Sequence, residues 1–228
     1  MKKTFLFMLS LAFLGLFIQS CKNTPEGEAA TTGAEAESGD LLGDVYTIDS
    51  NSMSVLWEGS SLSSKHNGSI LISGGRFAVQ DGLITGGNLT MDMNSITVLD
   101  LTGEDKASLE GHLKGTEAEN ADHFFNVSKF PTAEFVITKS TKVENDPMAT
   151  HMVYGNLTMK GLAKEVGFKI DVKLEDNSFI MRSPQFVINR TDWGVKYSSA
   201  SVFDNLGDKA INDNIGLIIN LVAAKEVQ

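Results

Sequence analysis

Along most of the chain, apolar and polar side chains exchange places at every second position, the period of a strand with one buried face. Leu89, Met91 and Met93 alternate with Thr90, Asp92 and Asn94, and Met53, Val55 and Trp57 share a parity. The longest run is Val166, Phe168, Ile170, Val172 and Leu174, interleaved with Gly167, Lys169, Asp171 and Lys173. Near the end, Ile211, Ile215, Leu217, Ile219, Leu221 and Ala223 again keep one parity. Turn formers separate the runs at Gly74-Gly75, Asp81-Gly82, Gly86-Gly87, Asn145-Asp146-Pro147, Lys160-Gly161 and Asp176-Asn177. The pattern predicts eight strands, over 45–60, 68–80, 83–96, 132–143, 149–160, 163–174, 178–189 and 211–224.

Such spacing suggests an all-β, antiparallel meander, closed as a barrel or folded as a sandwich. Residues 97–130 interrupt it between the third and fourth strands. Within them Glu104–Lys114 reads as a short amphipathic helix, with Leu109 and Leu113 one turn apart. The aromatic loop Asp122-His123-Phe124-Phe125 follows, and Phe130-Pro131 then leads into the next strand, since proline biases the residue before it toward extended geometry. A helix and loop placed there would suit a lid or a mouth on the barrel.

The N-terminus changes the picture of where this domain sits. Met1, Lys2 and Lys3 precede a mostly apolar run, Thr4–Gln19, of the length of a signal sequence and too short for a confident membrane span. The run ends at Ile18-Gln19-Ser20-Cys21, and Cys21 is the only cysteine, so no internal disulfide is possible. The pattern resembles a bacterial lipobox, which implies cleavage after residue 20 and lipidation of Cys21. Residues 21–43 are rich in Glu, Ala, Thr and Gly without aromatics and read as a flexible tether, of root-mean-square span roughly 25 Å. Residues 44–228 form the folded domain, long enough for one real core. Without Lys2 and Lys3 the chain keeps 17 basic against 29 acidic side chains, a net charge of −12. That balance argues against nucleic acid as a partner, because binding it requires basic patches.

Four stretches carry a resemblance to one family. Asp122-His123-Phe124-Phe125 with Phe130-Pro131 and Phe135 is the first, and Val153-x-Gly155-Asn156-Leu157-Thr158-Met159-Lys160-Gly161 the second. Arg190-Thr191-Asp192-Trp193-Gly194 and Asp213-x-Ile215-x-Leu217-x-Ile219 complete the set. With the opening Tyr46-Thr47-Ile48-Asp49 and Ser52, where Asn51 replaces a customary histidine, they resemble the YceI-like lipid- and polyisoprenoid-binding family in order over nearly the whole domain. The resemblance implies an eight-stranded, lipocalin-like antiparallel barrel whose apolar interior holds a polyisoprenoid, an isoprenoid quinone or a fatty acyl chain.

The candidate cavity wall is Met53, Val55, Trp57, Met91, Met93, Phe124, Phe125, Phe130, Phe135, Met159, Phe168, Phe186 and Trp193. Methionine suits a wall that moulds to a flexible chain. By composition alone these residues fit a solid core equally well; only the resemblance implies a hollow. Arg190 and Asp192 read as turn-forming residues, with a mouth gate as the alternative. His66, His112, His123 and His151 lie too far apart in sequence for zinc-ligand spacing, though His112, Glu110 and His123 could converge across the insertion. No GxSxG elbow or Ser-x-x-Lys pair occurs, so the expectation is a non-enzymatic binder without a required cofactor, its partners a lipid and, through Cys21, a membrane. A homodimer is compatible with this, and a ligand-free envelope protein with a filled barrel is the alternative.

Overall fold

A computed structural model describes residues 24–48 and 53–227. The signal run, Cys21 and the Asp49–Ser52 part of the opening motif lie outside the described residues.

In chain order the strands are β1 (Glu28–Ala29), β2 (Thr31–Gly33), β3 (Asp44–Ile48), β4 (Ser54–Ser60), β5 (Lys65–Gln80), β6 (Leu83–Asp92) and β7 (Thr97–Val98). The one α-helix among the described residues, α1 (Gly103–Lys114), comes next. Then follow β8 (Thr132–Lys142), β9 (His151–Met159), β10 (Leu162–Glu175), β11 (Ser178–Arg182), β12 (Phe186–Asn189) and β13 (Asn214–Lys225). Antiparallel pairs run β3–β5–β6–β8–β9–β10–β11–β13, and β13 returns to β3 at Ala223↔Ile48. The neighbours close a ring, so the described residues form a mostly β barrel with one helix.

The eight strands expected from alternation become thirteen segments in one sheet. The last hairpin arm divides into β11 and β12 around Ser183-Pro184-Gln185, where proline offers no amide to a ladder. The opening arm divides into β3 and β4, each of which pairs with both β5 and β13. Gly74-Gly75 and Gly86-Gly87 lie inside β5 and β6 rather than in turns, with register shifts at Ile72/Gly74 and Ala78/Val79.

Residues 24–43 do not hang free. They form a belt around the outside of the barrel, contrary to the flexible tether expected from composition. β1 pairs parallel with β12 and β2 antiparallel with β10, so the segment acts as an extra strand in the gap between those two. Asn156 on β9 then clamps Ala36, accepting from its amide at 2.9 Å and donating to its carbonyl at 2.6 Å. The Gly39 amide donates to Ile137 on β8 (3.0 Å), and Thr85 on β6 holds both backbone groups of Leu42. Outward-facing glycines let the belt lie close: a Cβ at Gly86 would strike the Gly39 backbone, and one at Gly167 the Thr31 hydroxyl. Composition could not anticipate this, because main-chain hydrogen bonds and bare glycines on the partner strands hold the belt.

The α1 insertion falls where alternation breaks, between β7 and β8. Glu104 and Asp105 occupy its first turn and His112 and Lys114 its last, matching the helix dipole. Gly115 ends it in the left-handed conformation (φ 68°), donating to Gly111 and His112 carbonyls. Among the described residues no helix is long and apolar enough to cross a membrane.

Candidate functional site: an apolar cavity in the barrel

The alternation that makes each strand also directs one row of side chains inward. One end of the interior is filled. Tyr46, Phe77 and Phe179 meet there, with Phe77 edge-on to Phe179 at 4.8 Å between ring centres. Beyond that plug the barrel is hollow, with a cavity of about 210 Å³.

Ten of the thirteen expected wall residues line this cavity. Met91 and Met93 from the β6 end, Phe135 from β8, Met159 from β9, Phe168 from β10 and Phe186 from β12 form one side. Val55 and Trp57 come from β4, and Phe124 and Phe125 from the insertion loop. Phe135 touches Phe168 (5.5 Å), which stacks flat on Phe186 (4.3 Å, 5° between planes).

Three expected wall residues lie elsewhere. Trp193 is fully buried within the wall, its indole N–H donating to the Leu157 carbonyl at 2.8 Å. Phe130 packs over Gly161 under the Lys129 ammonium. Met53 lies beside the core on β13, its sulfur accepting from the Val222 amide. Sequence reasoning missed Leu109 and Leu113 of α1, and Ala133, Leu157, Val166 and Leu217 of the strands, as cavity residues. Parity could have found them, since all four strand residues point the same way as their aromatic neighbours.

Polar lining gathers at the end opposite the plug: Ser60, Ser61, Ser64, His66 and Arg190. Ser61, Ser64, His66, Leu109 and Leu113 are half-buried there, so this end is the mouth. Arg190 is only 2% exposed. Its guanidinium donates to the carbonyls of Asn212 (2.9 Å), Val195 (2.8 Å) and Ile211 (3.0 Å), with Asp213 Oδ1 at 3.5 Å. Arg190 therefore pins the β12–β13 connection, and burial pulls its pKa below the usual value. Capping of the turn falls to Asn189, whose side chain accepts from the Thr191 amide, rather than to Asp192.

The insertion is fastened over the mouth by an aromatic cluster. His112 Nε2 and His123 Nδ1 lie 2.9 Å apart, His123 stacks on Tyr197 at 4.1 Å, and Phe124 packs edge-on to His112. Burial, reinforced by the neighbouring His123, holds the His112 pKa below the ordinary imidazole value. Glu110 does not join them; it accepts from the Val98 amide and Thr97 hydroxyl, both at 2.8 Å, and binds α1 to β7. In the wall, the buried Trp57 indole N–H has no acceptor among the described residues.

Comparison with known proteins agrees with this architecture. In structure the chain is similar to BcnA of Burkholderia cenocepacia, at 15% identity and a TM-score of 0.57, covering 77% of this chain and 98% of that one. It is also similar to a polyisoprenoid binding domain from Saccharophagus degradans implicated in plant cell wall breakdown, at 12% identity and a TM-score of 0.54, covering 79% and 98%. At those identities the likeness establishes the fold. No curated protein matches the chain in sequence. The model of the YceI-like domain matches residues 46–223, which with the barrel and its lidded cavity shows that the chain belongs to the YceI-like family.

Proposed function

We propose that this protein binds a long-chain amphiphilic lipid inside the barrel and carries or sequesters it without chemical change. The ligand class is a polyisoprenoid, an isoprenoid quinone or a fatty acyl chain. The observation that carries the reading is the cavity, about 210 Å³ lined by aromatic, aliphatic and methionine side chains with polar groups only at its mouth. That volume has room for on the order of fifteen water-sized groups, enough for a substantial part of one chain. The polyisoprenoid binding of the Saccharophagus degradans domain supports the ligand class.

Burial is the mechanism. Each five-carbon isoprene unit taken from water contributes ~4 kcal/mol at most. Two or three units therefore approach the ~4–15 kcal/mol cost of association. Taken from a bilayer the same unit gains far less, so the protein suits carriage or sequestration rather than unaided extraction. The polar mouth would accommodate the head group while α1 and Phe124-Phe125 cover the tail. We place the protein in a bacterial cell envelope, on its periplasmic or outer-membrane face, lipid-anchored through Cys21 after removal of residues 1–20.

Organic extraction of the purified protein followed by mass spectrometry tests the reading. A recurring polyprenyl, quinone or fatty species in near-stoichiometric amount is expected. Repeated extractions that yield none would overturn it.

A further inference from the structure

The belt fixes where the chain upstream of the barrel leaves it. From Gly43 it runs over β6, β8, β9 and β10 to β12, and it ends beside the cavity mouth. There the Asn212 amide donates to the Thr24 hydroxyl at 3.2 Å and lies 3.5 Å from the Ser60 hydroxyl. Ser60 lines the mouth. Three residues span at most ~11 Å. With Cys21 as the anchor proposed above, only two residues stand between it and Thr24, so no spacer of twenty residues would separate the domain from the membrane.

The same end of the barrel carries an exposed apolar rim. Leu62 on the β4–β5 hairpin is 53% exposed, Leu99 between β7 and α1 57%, and Val202 and Phe203 in the β12–β13 connection 43% and 49%. These three connections are tied together around the mouth. Ile211 bridges to both Ser61 and Ser199, and the Leu99 amide donates to the Asn67 carbonyl. The hairpin tips at the plugged end are polar (Asp81-Gly82, Asn145-Asp146, Asp176-Asn177), and the exposed apolar residues near them, Leu41 and Leu42 on the belt, Met148 in the β8–β9 loop and Leu174 on β10, are not tied to one another as the mouth connections are. Large exposed apolar side chains clustered on one face mark an interaction surface, whereas scattered ones do not.

We propose that this rim docks against a lipid bilayer, with the cavity mouth turned toward the membrane by the chain leaving at Thr24. The proposal rests on the reading of the cavity as a lipid site, and it adds the orientation in which that site is loaded. The partner is the apolar layer beneath the head groups rather than an anionic surface. The chain has a net charge of −10, and Asp100, Glu104, Asp105 and Asp204 stand near the rim. Docking is therefore expected to survive high salt, which screens charge attraction and leaves apolar insertion intact.

The test uses the full chain, recovered from bacterial membranes and reconstituted into phosphatidylcholine vesicles containing nitroxide-labelled lipid. A fluorophore is attached at Val202→Cys on the rim or at Met148→Cys at the plugged end; labelling of the parent chain reads whether Cys21 is free. The expected result is several-fold stronger quenching at position 202 than at 148. Adding Leu62→Asp and Phe203→Asp is expected to bring position 202 down to the level of 148 while fatty-acyl probe binding persists. Equal quenching at the two positions, stronger quenching at 148, or a soluble chain with neither label quenched overturns the proposal. Docking without extractable lipid would remove carriage alone, and extractable lipid without asymmetric quenching would remove docking alone.

Discussion

Replacing Ala133 by phenylalanine would put a ring into the space assigned to the ligand. Ala133 lies on β8 opposite Met91, is 3% exposed, and lines the cavity two residues before Phe135. A ring directed inward excludes about four ligand methylenes, each contributing ~0.8 kcal/mol, for a loss of ~3 kcal/mol. At 1.4 kcal/mol per decade this is a weakening of about 100-fold in Kd. The fold should tolerate the change, because the ring enters a void; overpacking a filled core would cost roughly 1–3 kcal/mol. Titration with a fluorescent fatty-acyl probe such as parinaric acid measures the first quantity and thermal melting the second. The reasoning predicts weak binding with a nearly unchanged melting temperature. Unchanged binding with an unchanged melt would refute it, because the ring would then share the barrel with the ligand.

Gly86→Val sets a side chain against the Gly39 backbone and should lift the belt, so limited proteolysis within residues 34–43 is expected to accelerate while the barrel still melts cooperatively. Glu226 closes the seam: Arg76 grips it with Nε and Nη2, both at 2.8 Å, and the Thr47 hydroxyl donates to it, lowering its pKa from 4.5 to about 2. A depressed carboxylate stabilises the fold above its unfolded value and loses that effect as pH falls through the folded one. The stability gap between wild type and Glu226→Gln should thus be flat above pH 4.5 and vanish toward about 2; a gap that grows on acidification would contradict the assignment. His112 acts in the same sense in a higher pH window, because its folded pKa lies below 6.5 and the unfolded chain takes up the proton first. Acidification below 6.5 should therefore loosen α1, read as faster hydrogen exchange after correction for intrinsic rates, and His112→Leu should blunt that response.

The sequence revealed the walls because a half-buried strand writes its burial into every second residue. Val166, Phe168 and Ile170 are all at most 4% exposed, as their parity required. The same writing could not distinguish a hollow from a filled interior. Phe168 beside the cavity and Phe179 in the plug are equally apolar and equally buried, and only the volume between facing walls separates them. Trp193 misled for this reason: nothing in Arg190-Thr191-Asp192-Trp193 reveals that its N–H is spent on Leu157. The belt was illegible on its own residues, which are small, polar and mostly exposed. Its trace lay on the partner strands, where Gly86 and Gly167 interrupt otherwise well-filled β faces. The lid was legible in outline from Glu104–Lys114 and Phe124-Phe125. Its fastening was not, since Tyr197 comes to His123 from over seventy residues away.

The most direct test of the central claim is covalent capture of a chain in the barrel. A fatty-acyl probe bearing a diazirine near the middle of its tail, irradiated with the protein and mapped by peptide mass spectrometry, should mark cavity residues such as Met159, Phe168 and Leu217. Labelling confined to the belt or the outer faces of the strands, or absent at saturating probe, would contradict the account.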